Sequence, residues 1–274
     1  MEPKITIVTC SYWRPDLLRR AIQSVQNQTF KDYEHIIVSD HDPFARYVYN
    51  DFKEDTRIRF IENPNPYEYN LGAVSFKIGL ENAKSDYFCY LLDDDIIYEN
   101  HLEEHYTHFK KGNIIGNSNF DCIEFNGEDQ TVKFIASKSL KELQAIPVIP
   151  GSGSYPDVSR ISHTVEKGRE IGWKTQTELT GGRIRVGNMY EDNQFMSKLG
   201  LNTSQHLISA TTSLKCCWGG VPRSKETKGV DQEYLDSLMK KLVEDSTDTS
   251  GYRLISDTPY VYPELKDSLL GETQ

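Results

Sequence analysis

The chain has 274 residues, of which 37% are hydrophobic and 26% charged, as is typical of a soluble globular protein with one large domain or one domain with a smaller appendage. The net charge of −10 argues against a nucleic-acid partner, because binding to phosphates requires clustered cations. No apolar run reaches membrane-spanning length, so we expect no transmembrane segment and no leader peptide. The five cysteines, an odd number, predict reduced thiols and a cytoplasmic location.

Strand and helix patterns alternate through the first ninety residues. Alternating or continuous apolar residues predict strands at residues 4–9, 34–39, 58–62 and 87–92. Apolar residues at helical spacing predict helices at 15–26 and 70–83. This order predicts an α/β fold with a mostly parallel sheet flanked by helices. In such sheets ligands bind beyond the carboxyl ends of the strands.

Three consecutive aspartates, Asp93, Asp94 and Asp95, follow the apolar run 87–92. Placing three carboxylates at the end of a buried strand is costly, and a divalent cation would relieve their repulsion. Carboxylate oxygens suit Mg²⁺ or Mn²⁺. An acidic loop or a helix N-terminus is the alternative interpretation. Polar residues also follow the first and second predicted strands, at 10–12 and at Asp40, and this convergence favours a ligand site.

The second half of the chain is less regular. We predict a strand at 131–136, a flexible loop at 151–157, a hairpin or mobile segment at 178–187, a helix at 192–199 and an amphipathic helix at 231–242. Polar linkers surround the last helix. These patterns predict a main domain at residues 1–222 and a small helical and extended C-terminal appendage at 223–274. We expect the last helix to cap the domain, with dimerisation or contact with a membrane surface as alternatives.

Several motifs, in order, resemble the inverting family 2 glycosyltransferases of the GT-A fold. The matching stretches are residues 5–15, 21–30, 33–40 and 70–83, followed by the aspartate triplet and by residues 190–195. The resemblance is most specific from about residue 4 to 105. It implies a Rossmann-like GT-A domain that moves a sugar from a nucleoside diphosphate sugar to an acceptor hydroxyl with inversion. The implied partners are that donor and a carbohydrate or glycan acceptor, in glycan or polysaccharide synthesis.

The resemblance also implies a metal site. Asp93 and Asp95 fit the D-x-D motif of the family, with Asp95 as the direct ligand to Mn²⁺ or Mg²⁺ and Asp93 nearer the ribose. Asp94 is the alternative if the register shifts by one residue, and otherwise contributes to donor binding. His206 follows the later acidic motif, where some members supply a third ligand from a histidine. A core histidine is the alternative for His206.

The general base is implied by a second motif. Glu191 and Asp192 resemble the E-D pair at the start of a helix, and the second acid of that pair usually accepts the proton of the acceptor hydroxyl. Asp192 is therefore our candidate for the base. Asp157 and His163 lie in a segment that resembles the acceptor-side loop, and ordinary structural roles remain the alternative for both.

The nucleotide contacts are implied by the first two strand ends. Cys10 and Tyr12 match loop positions that hold the nucleobase, although the family usually has a hydroxyl at the position of Cys10. Asp40 matches the acid that accepts a hydrogen bond from the base. Its neighbours depart from the usual Asp-Asp-Gly-Ser run, so the nucleotide preference is open. Arg14 and Lys77 are further candidates for donor binding, with solvated surface cations as the alternative.

A sugar nucleotidyltransferase and a non-catalytic binding module are the alternative functions. A sugar nucleotidyltransferase usually has a glycine-rich basic loop after the first strand, whereas residues 10–16 contain one arginine and no glycine. A non-catalytic module that binds nucleotide sugars or glycans would have no need of Asp192. A metal-dependent glycosyltransferase is therefore favoured. The sequence leaves homo-oligomerisation and peripheral contact with a membrane open.

Overall fold

In the computed structural model, the described residues are 2–12, 14–40, 42, 44–64, 72–126, 131–134, 158–175, 178, 191–200 and 206–219. The strands in these ranges are β1 (Ile5–Ser11), β2 (Tyr33–Ser39), β3 (Ile58–Glu62), β4 (Tyr87–Leu92), β5 (Ile96–Ile97), β6 (Ile115–Asn126), β7 (Thr131–Phe134), β8 (Ile161–Thr164) and β9 (Leu207–Gly219). The helices are α1 (Pro15–Gln26), α2 (Ala45–Asn50), α3 (Ala73–Glu81), α4 (His101–Lys110), α5 (Val165–Ile171) and α6 (Glu191–Leu199). A short 3-10 turn, Val158–Arg160, precedes β8.

The first four strands are parallel, as the alternation of strand and helix predicted. β1 lies between β2 and β4, with Ile5 opposite Tyr33 on one side and Tyr87 on the other. β3 extends this part of the sheet beyond β2. Because these strands share one direction, their carboxyl ends meet at the same edge of the sheet. The residues that follow β1, β2 and β4 are therefore neighbours in space.

The second half of the chain completes a mixed sheet rather than a wholly parallel one. The strand order is β3-β2-β1-β4-β8-β6-β9-β5, and β7 pairs with β6. β8 is antiparallel to β4, with Phe88 opposite His163, and β6 is antiparallel to β8. The predicted α/β class is thus confirmed, and the strand predicted at 131–136 corresponds to β7. The strands β5, β6, β8 and β9 and the helices α2, α4 and α5 were not predicted.

Two groups of buried side chains cover the two faces of the central strands. On one face, Val8 and Tyr90 pack with residues of α3 and α6, including Phe76 and Phe195. On the other face, Ile7 and Cys89 belong to a second group with residues of α1 and α4. Burial on both faces explains why β4 is almost continuously apolar and why β1 carries only apolar side chains and small hydroxyl or thiol groups.

Helix α3 approaches β1 unusually closely. A Cβ atom at Gly79 would lie 2.4 Å from Cγ2 of Val8, well inside the normal contact distance. Gly72, just before the helix, has φ +86°, and a Cβ atom there would lie 3.0 Å from Sγ of Cys10. Two glycines therefore allow α3 to pack against the strand that leads to the polar edge.

The chain forms two compact units. One comprises Met1–Glu124 and Phe134–Cys217, and the other comprises Phe125–Lys133 and Trp218–Gln274. The predicted boundary at residue 222 and the predicted helix at 231–242 lie outside the described residues, as do the predicted loop at 151–157 and most of the segment 178–187. None of the described helices has the length and apolar character needed to cross a bilayer.

Candidate active site

The three aspartates after β4 are all buried. Asp93 is 0% exposed, Asp94 9% and Asp95 1%. Buried carboxylates need compensating charges or hydrogen-bond donors, because removing a carboxylate from water is costly. The arrangement of the surrounding donors therefore indicates what each carboxylate can do.

Arg14 pairs with two of the three aspartates. It immediately precedes Pro15, the first residue of α1, and its guanidinium forms ion pairs with both Asp93 and Asp94. Its Nε donates to Oδ2 of Asp93 over 3.3 Å, and the backbone N–H of Tyr12 donates to the same oxygen over 3.1 Å. Arg14 and Tyr12 together hold Asp93, which follows β4, beside the end of β1.

This edge of the sheet nevertheless stabilises negative charge incompletely. Burial raises the pKa of Asp93 above its usual range, Arg14 lowers it, and the neighbouring Asp94 raises it again. Burial alone would lower the pKa of Arg14, but Asp93 and Asp94 raise it above its ordinary value. Arg14 therefore pairs with two buried carboxylates at once, while the pKa of Asp93 stays raised, and a further cation would be accommodated favourably.

Asp95 is held by a residue that the sequence did not point to. The Ser159 hydroxyl donates to Oδ2 of Asp95 over 2.6 Å, and it accepts a hydrogen bond of 3.1 Å from the backbone N–H of Leu92. Ser159 lies in the 3-10 turn before β8. It thereby connects the antiparallel half of the sheet to the aspartate triplet.

The ends of β1 and β2 lie together, as predicted. The backbone N–H of Asp40 donates to the carbonyl of Ser11 over 3.0 Å, and the Asn63 amide donates to Oδ1 of Asp40 over 2.9 Å. Burial raises the pKa of Tyr12, and the negative charges of Asp40 and Asp42 raise it further. Asp40 and the ring of Tyr12 are thus close enough to interact.

Cys10 lies beside the same carboxylates. Its thiol is free and partly buried. Burial raises its pKa well above the ordinary value, and Asp93 raises it further. The side chain is therefore a neutral thiol at neutral pH, unsuited to a nucleophilic role but able to contact a ligand.

Lys77 is engaged elsewhere. Its ammonium pairs with the carboxylate of Glu178 at 3.0 Å, and the backbone N–H of Thr175 donates to that carboxylate over 2.7 Å. This geometry favours the interpretation of Lys77 as a surface cation that forms an ion pair with Glu178 rather than as a contact of the donor. His163, in β8, is a core residue whose ring bonds the hydroxyl of Tyr90.

His206, the predicted third metal ligand, lies beside the start of β6. It interacts with the backbone of Ile115 and with His108 of α4. Its role as a metal ligand stays a prediction.

The candidate base lies in the first turn of α6. The structure begins this helix at Glu191, so the predicted helix start is confirmed at Glu191 and Asp192, whose side chains lie outside the described part. Later in the helix, Phe195 stacks on Trp173, with ring centroids 4.3 Å apart, and contacts Tyr90 of β4. These contacts attach α6 to the strand that ends at the aspartates.

Comparison with known proteins identifies the family. Residues 6–151, more than half of the chain, match the family model described as Glycosyl transferase family 2. The chain belongs to this family. The matched range contains β1 to β4, the strand-end residues and the whole aspartate triplet. The predicted family and the GT-A-type α/β fold are thereby confirmed.

Curated relatives match over part of their length. Over 153 residues the chain is 31% identical to the GalNAc(5)-diNAcBac-PP-undecaprenol beta-1,3-glucosyltransferase of Campylobacter jejuni, covering 50% of this chain and 48% of that protein. It is 33% identical over 121 residues to the poly(ribitol-phosphate) beta-N-acetylglucosaminyltransferase TarP of Staphylococcus aureus, covering 41% and 36%. The matches therefore span about half or less of these relatives.

Solved structures share the fold over nearly the whole chain. TarS 1-349 of S. aureus in complex with UDP-GlcNAc aligns with a TM-score of 0.59 at 10% identity, covering 91% of this chain and 68% of that chain. The mannosyltransferase PcManGT of Pyrobaculum calidifontis, in complex with GDP-Man and Mn²⁺, aligns with a TM-score of 0.52 at 13% identity, covering 89% and 65%. At these identities the likeness establishes the fold.

Proposed function

We propose that this chain is a metal-dependent inverting glycosyltransferase. It would transfer a sugar from a nucleoside diphosphate sugar to an acceptor hydroxyl during glycan or polysaccharide synthesis. The observation that carries the proposal is the set of buried carboxylates after β4, beside Tyr12 and Asp40 at the neighbouring strand ends. The named activities of the Campylobacter and Staphylococcus relatives support the reaction class.

The nucleoside would bind at the ends of β1 and β2. The ring of Tyr12 is partly exposed and offers a stacking surface for the base. Asp40 would accept a hydrogen bond from a base N–H, and the Asn63 amide holds this carboxylate in place. Together these contacts would orient the anomeric carbon before reaction.

The donor atoms of the triplet fit Mn²⁺ or Mg²⁺. Asp95 would hold the cation, and the Ser159 hydroxyl would keep this carboxylate oriented. Asp93 is already bound by Arg14 and by the Tyr12 backbone, so we assign it to positioning the donor side of the site. When bound, such a cation supplies Lewis-acid stabilisation of the leaving diphosphate. Arg14 contributes fixed positive charge to the same region.

Asp192 would act as the general base. It would take the proton of the acceptor hydroxyl while the oxygen attacks the anomeric carbon and the bond from that carbon to the β-phosphate oxygen breaks. The electron pair of that bond leaves with the diphosphate. A single displacement of this kind inverts the configuration at the anomeric carbon. The attachment of α6 to β4 through Phe195 supports this assignment.

A cytoplasmic location is part of the proposal. The free thiols of Cys10 and Cys89 support a reducing compartment. A lipid-linked acceptor, such as the one in the name of the Campylobacter relative, would bring the protein to the membrane surface from that side. Homo-oligomerisation stays a prediction.

A thermal-shift series tests donor binding. The protein is melted with uridine or guanosine diphosphate in the presence of Mn²⁺, Mg²⁺ or a chelator. A nucleotide at about 100 times its Kd stabilises a folded protein by about 2.7 kcal/mol, which corresponds to a rise in Tm of several degrees. We expect this rise for at least one nucleotide with a divalent cation. Equal stabilisation in the chelator would contradict the metal role of the triplet.

The variant Asp192→Asn tests the base. We expect it to retain the nucleotide-dependent rise in Tm and to lose transfer by about 10²- to 10⁴-fold, because only proton removal is impaired. Transfer is measured as diphosphate release with an accepted acceptor. Glu166→Gln, an exposed acid in the first turn of α5, is the matched control and should keep full activity. Full activity of Asp192→Asn would remove this residue as the base.

A further inference from the structure

A second group of potential ligands lies inside the core. Cys89 is in the middle of β4, and His101 and His105 lie one turn apart on α4, with ring centroids separated by 4.3 Å. One donor atom from each of the three residues lies within 4.8 Å of the other two. All three side chains are 0% exposed. We call this group the Cys-His cluster.

The cluster contains unsatisfied nitrogen atoms. Nε2 of His101 and Nε2 of His105 are both buried and have no hydrogen-bond partner among the described residues. A buried polar atom without a partner costs about 1–3 kcal/mol, so two of them close together require an explanation. Two neighbouring buried nitrogen atoms without partners are expected where both bind a ligand.

The other nitrogen of each ring is held by a hydroxyl. Nδ1 of His101 lies 2.8 Å from Oγ1 of Thr212, and Nδ1 of His105 bonds the hydroxyl of Ser162. Gly116 makes room for the second contact, because a Cβ atom there would lie 2.6 Å from Oγ of Ser162 and 3.1 Å from Nδ1 of His105. Hydrogen bonds of this type orient the rings of metal-binding histidines and leave Nε2 available.

We propose that Cys89, His101 and His105 bind one divalent transition-metal ion of the zinc class. One sulfur and two imidazole nitrogens are the donors that Zn²⁺ prefers, and hard cations such as Mg²⁺ avoid them. Bond lengths of about 2.3 Å to sulfur and about 2.0–2.1 Å to nitrogen place tetrahedral donors about 3.3–3.6 Å apart. A small inward movement from the present separation would reach that geometry. A water molecule would complete the fourth position.

The protonation states are consistent with this assignment. Burial lowers the pKa of His101 to about 3 and that of His105 well below its usual range, so both rings are neutral and able to bind a metal. Burial raises the pKa of the Cys89 thiol well above its usual range, so the thiol is neutral in the absence of a metal. Binding would therefore form the metal–sulfur bond and release the thiol proton to solvent, one proton for each ion.

The expected role is to connect α4 to β4. The cluster joins a helix and a strand within the core, so the ion would stabilise the folded chain directly. Because the ligands are fully buried, the ion would enter while the chain folds. This inference is independent of the proposed transferase activity and of the carboxylate site.

Cobalt substitution tests the proposal. The full chain is refolded with Co²⁺ and excess Mg²⁺, which occupies carboxylate sites, and is then dialysed. We expect one equivalent of retained cobalt and a thiolate-to-cobalt charge-transfer band in the near ultraviolet. Cys89→Ala should lose the band. His108→Asn is the matched control, because His108 lies on the same helix but bonds the carbonyl of Ile115. A wild-type protein without retained cobalt, or an unchanged band in Cys89→Ala, would overturn the proposal.

A second measurement uses only the wild-type chain, in case the Cys89 variant does not fold. Alkylation of Cys89 is followed by mass spectrometry in mild denaturant, with Zn²⁺, with Mg²⁺ or with neither. We expect Zn²⁺ to slow modification of Cys89 at least tenfold while Mg²⁺ leaves the rate unchanged, since only Zn²⁺ favours the thiolate. Equal rates under all three conditions would overturn the proposal.

Discussion

The middle of β4 and its carboxyl end carry different kinds of polar chemistry. Beyond the carboxyl end of β4, Asp93 and its neighbours present oxygen atoms and negative charge. Four residues before Asp93, Cys89 joins two neutral histidines in the core. The first group is partly balanced by Arg14. The second is uncharged, and two of its nitrogen atoms have no hydrogen-bond partner in the described part of the chain.

This difference teaches which ligands each region can accept. Carboxylates at a sheet edge suit a hard cation that exchanges with solvent and arrives with a phosphate-bearing donor. A thiol and imidazoles in the core suit a borderline-soft ion that remains with the fold. Metal dependence of activity and metal dependence of stability should therefore separate in this protein.

The largest expected effect is on transfer. Asp95→Asn should reduce Mn²⁺-dependent turnover by about 10²- to 10³-fold, because an electrostatic contribution to the leaving group is lost. The same variant should retain the cobalt band of the Cys-His cluster. Turnover is measured by diphosphate release and the band by absorbance. If Asp95→Asn loses both, the two regions are not independent.

A smaller effect concerns the balance of charge at the sheet edge. Arg14→Gln should lower the free energy of unfolding by about 2 kcal/mol in a chelator, because two buried carboxylates lose their counter-ion. This loss in the free energy of unfolding is smaller than for a fully buried ion pair, since the Arg14 side chain is 35% exposed. Arg14→Lys should lower the free energy of unfolding by less than Arg14→Gln. Urea denaturation measures the change, and Mn²⁺ should restore part of it. A neutral effect of Arg14→Gln would contradict the charge deficit.

The last prediction, comparable in size to the one for Arg14, concerns a buried histidine that is neutral in the folded chain. Burial lowers the pKa of His35 to about 3, while Asp55 raises it slightly. The unfolded chain therefore binds a proton near pH 6.5 that the folded chain does not, and stability falls as the pH decreases from 6.5 toward 3. Between pH 7 and 5 the wild type should lose about 2 kcal/mol more than His35→Gln. Denaturation curves at both pH values measure this, and equal losses would contradict it.

The sequence predicted the parallel half of the fold because its strands are buried on both faces. β4 reads as an apolar run, β1 combines apolar residues with small hydroxyl or thiol groups, and α1 has a clear helical period after Pro15. Helix α4 was missed because histidines such as His101 and His105 occupy its buried side, where sequence patterns expect apolar residues. β8 has four residues, too few for a recognisable period.

The candidate site was predictable where it depends on strand ends and not where it depends on distant contacts. Asp40 and Asp93 follow strands whose order fixes their position. The contact of Ser159 with Asp95 joins residues 64 positions apart, and no local pattern predicts it.

The close packing of α3 against β1 at Gly79 limits which residues position 79 can accept. The distance between α3 and β1 depends on the absence of a side chain at Gly79, because a Cβ atom there would lie 2.4 Å from Cγ2 of Val8. Alanine at position 79 would require a shift of α3 or of Val8, in the strand that leads to Cys10. We therefore expect Gly79→Ala to disturb the end of β1 without contacting any ligand.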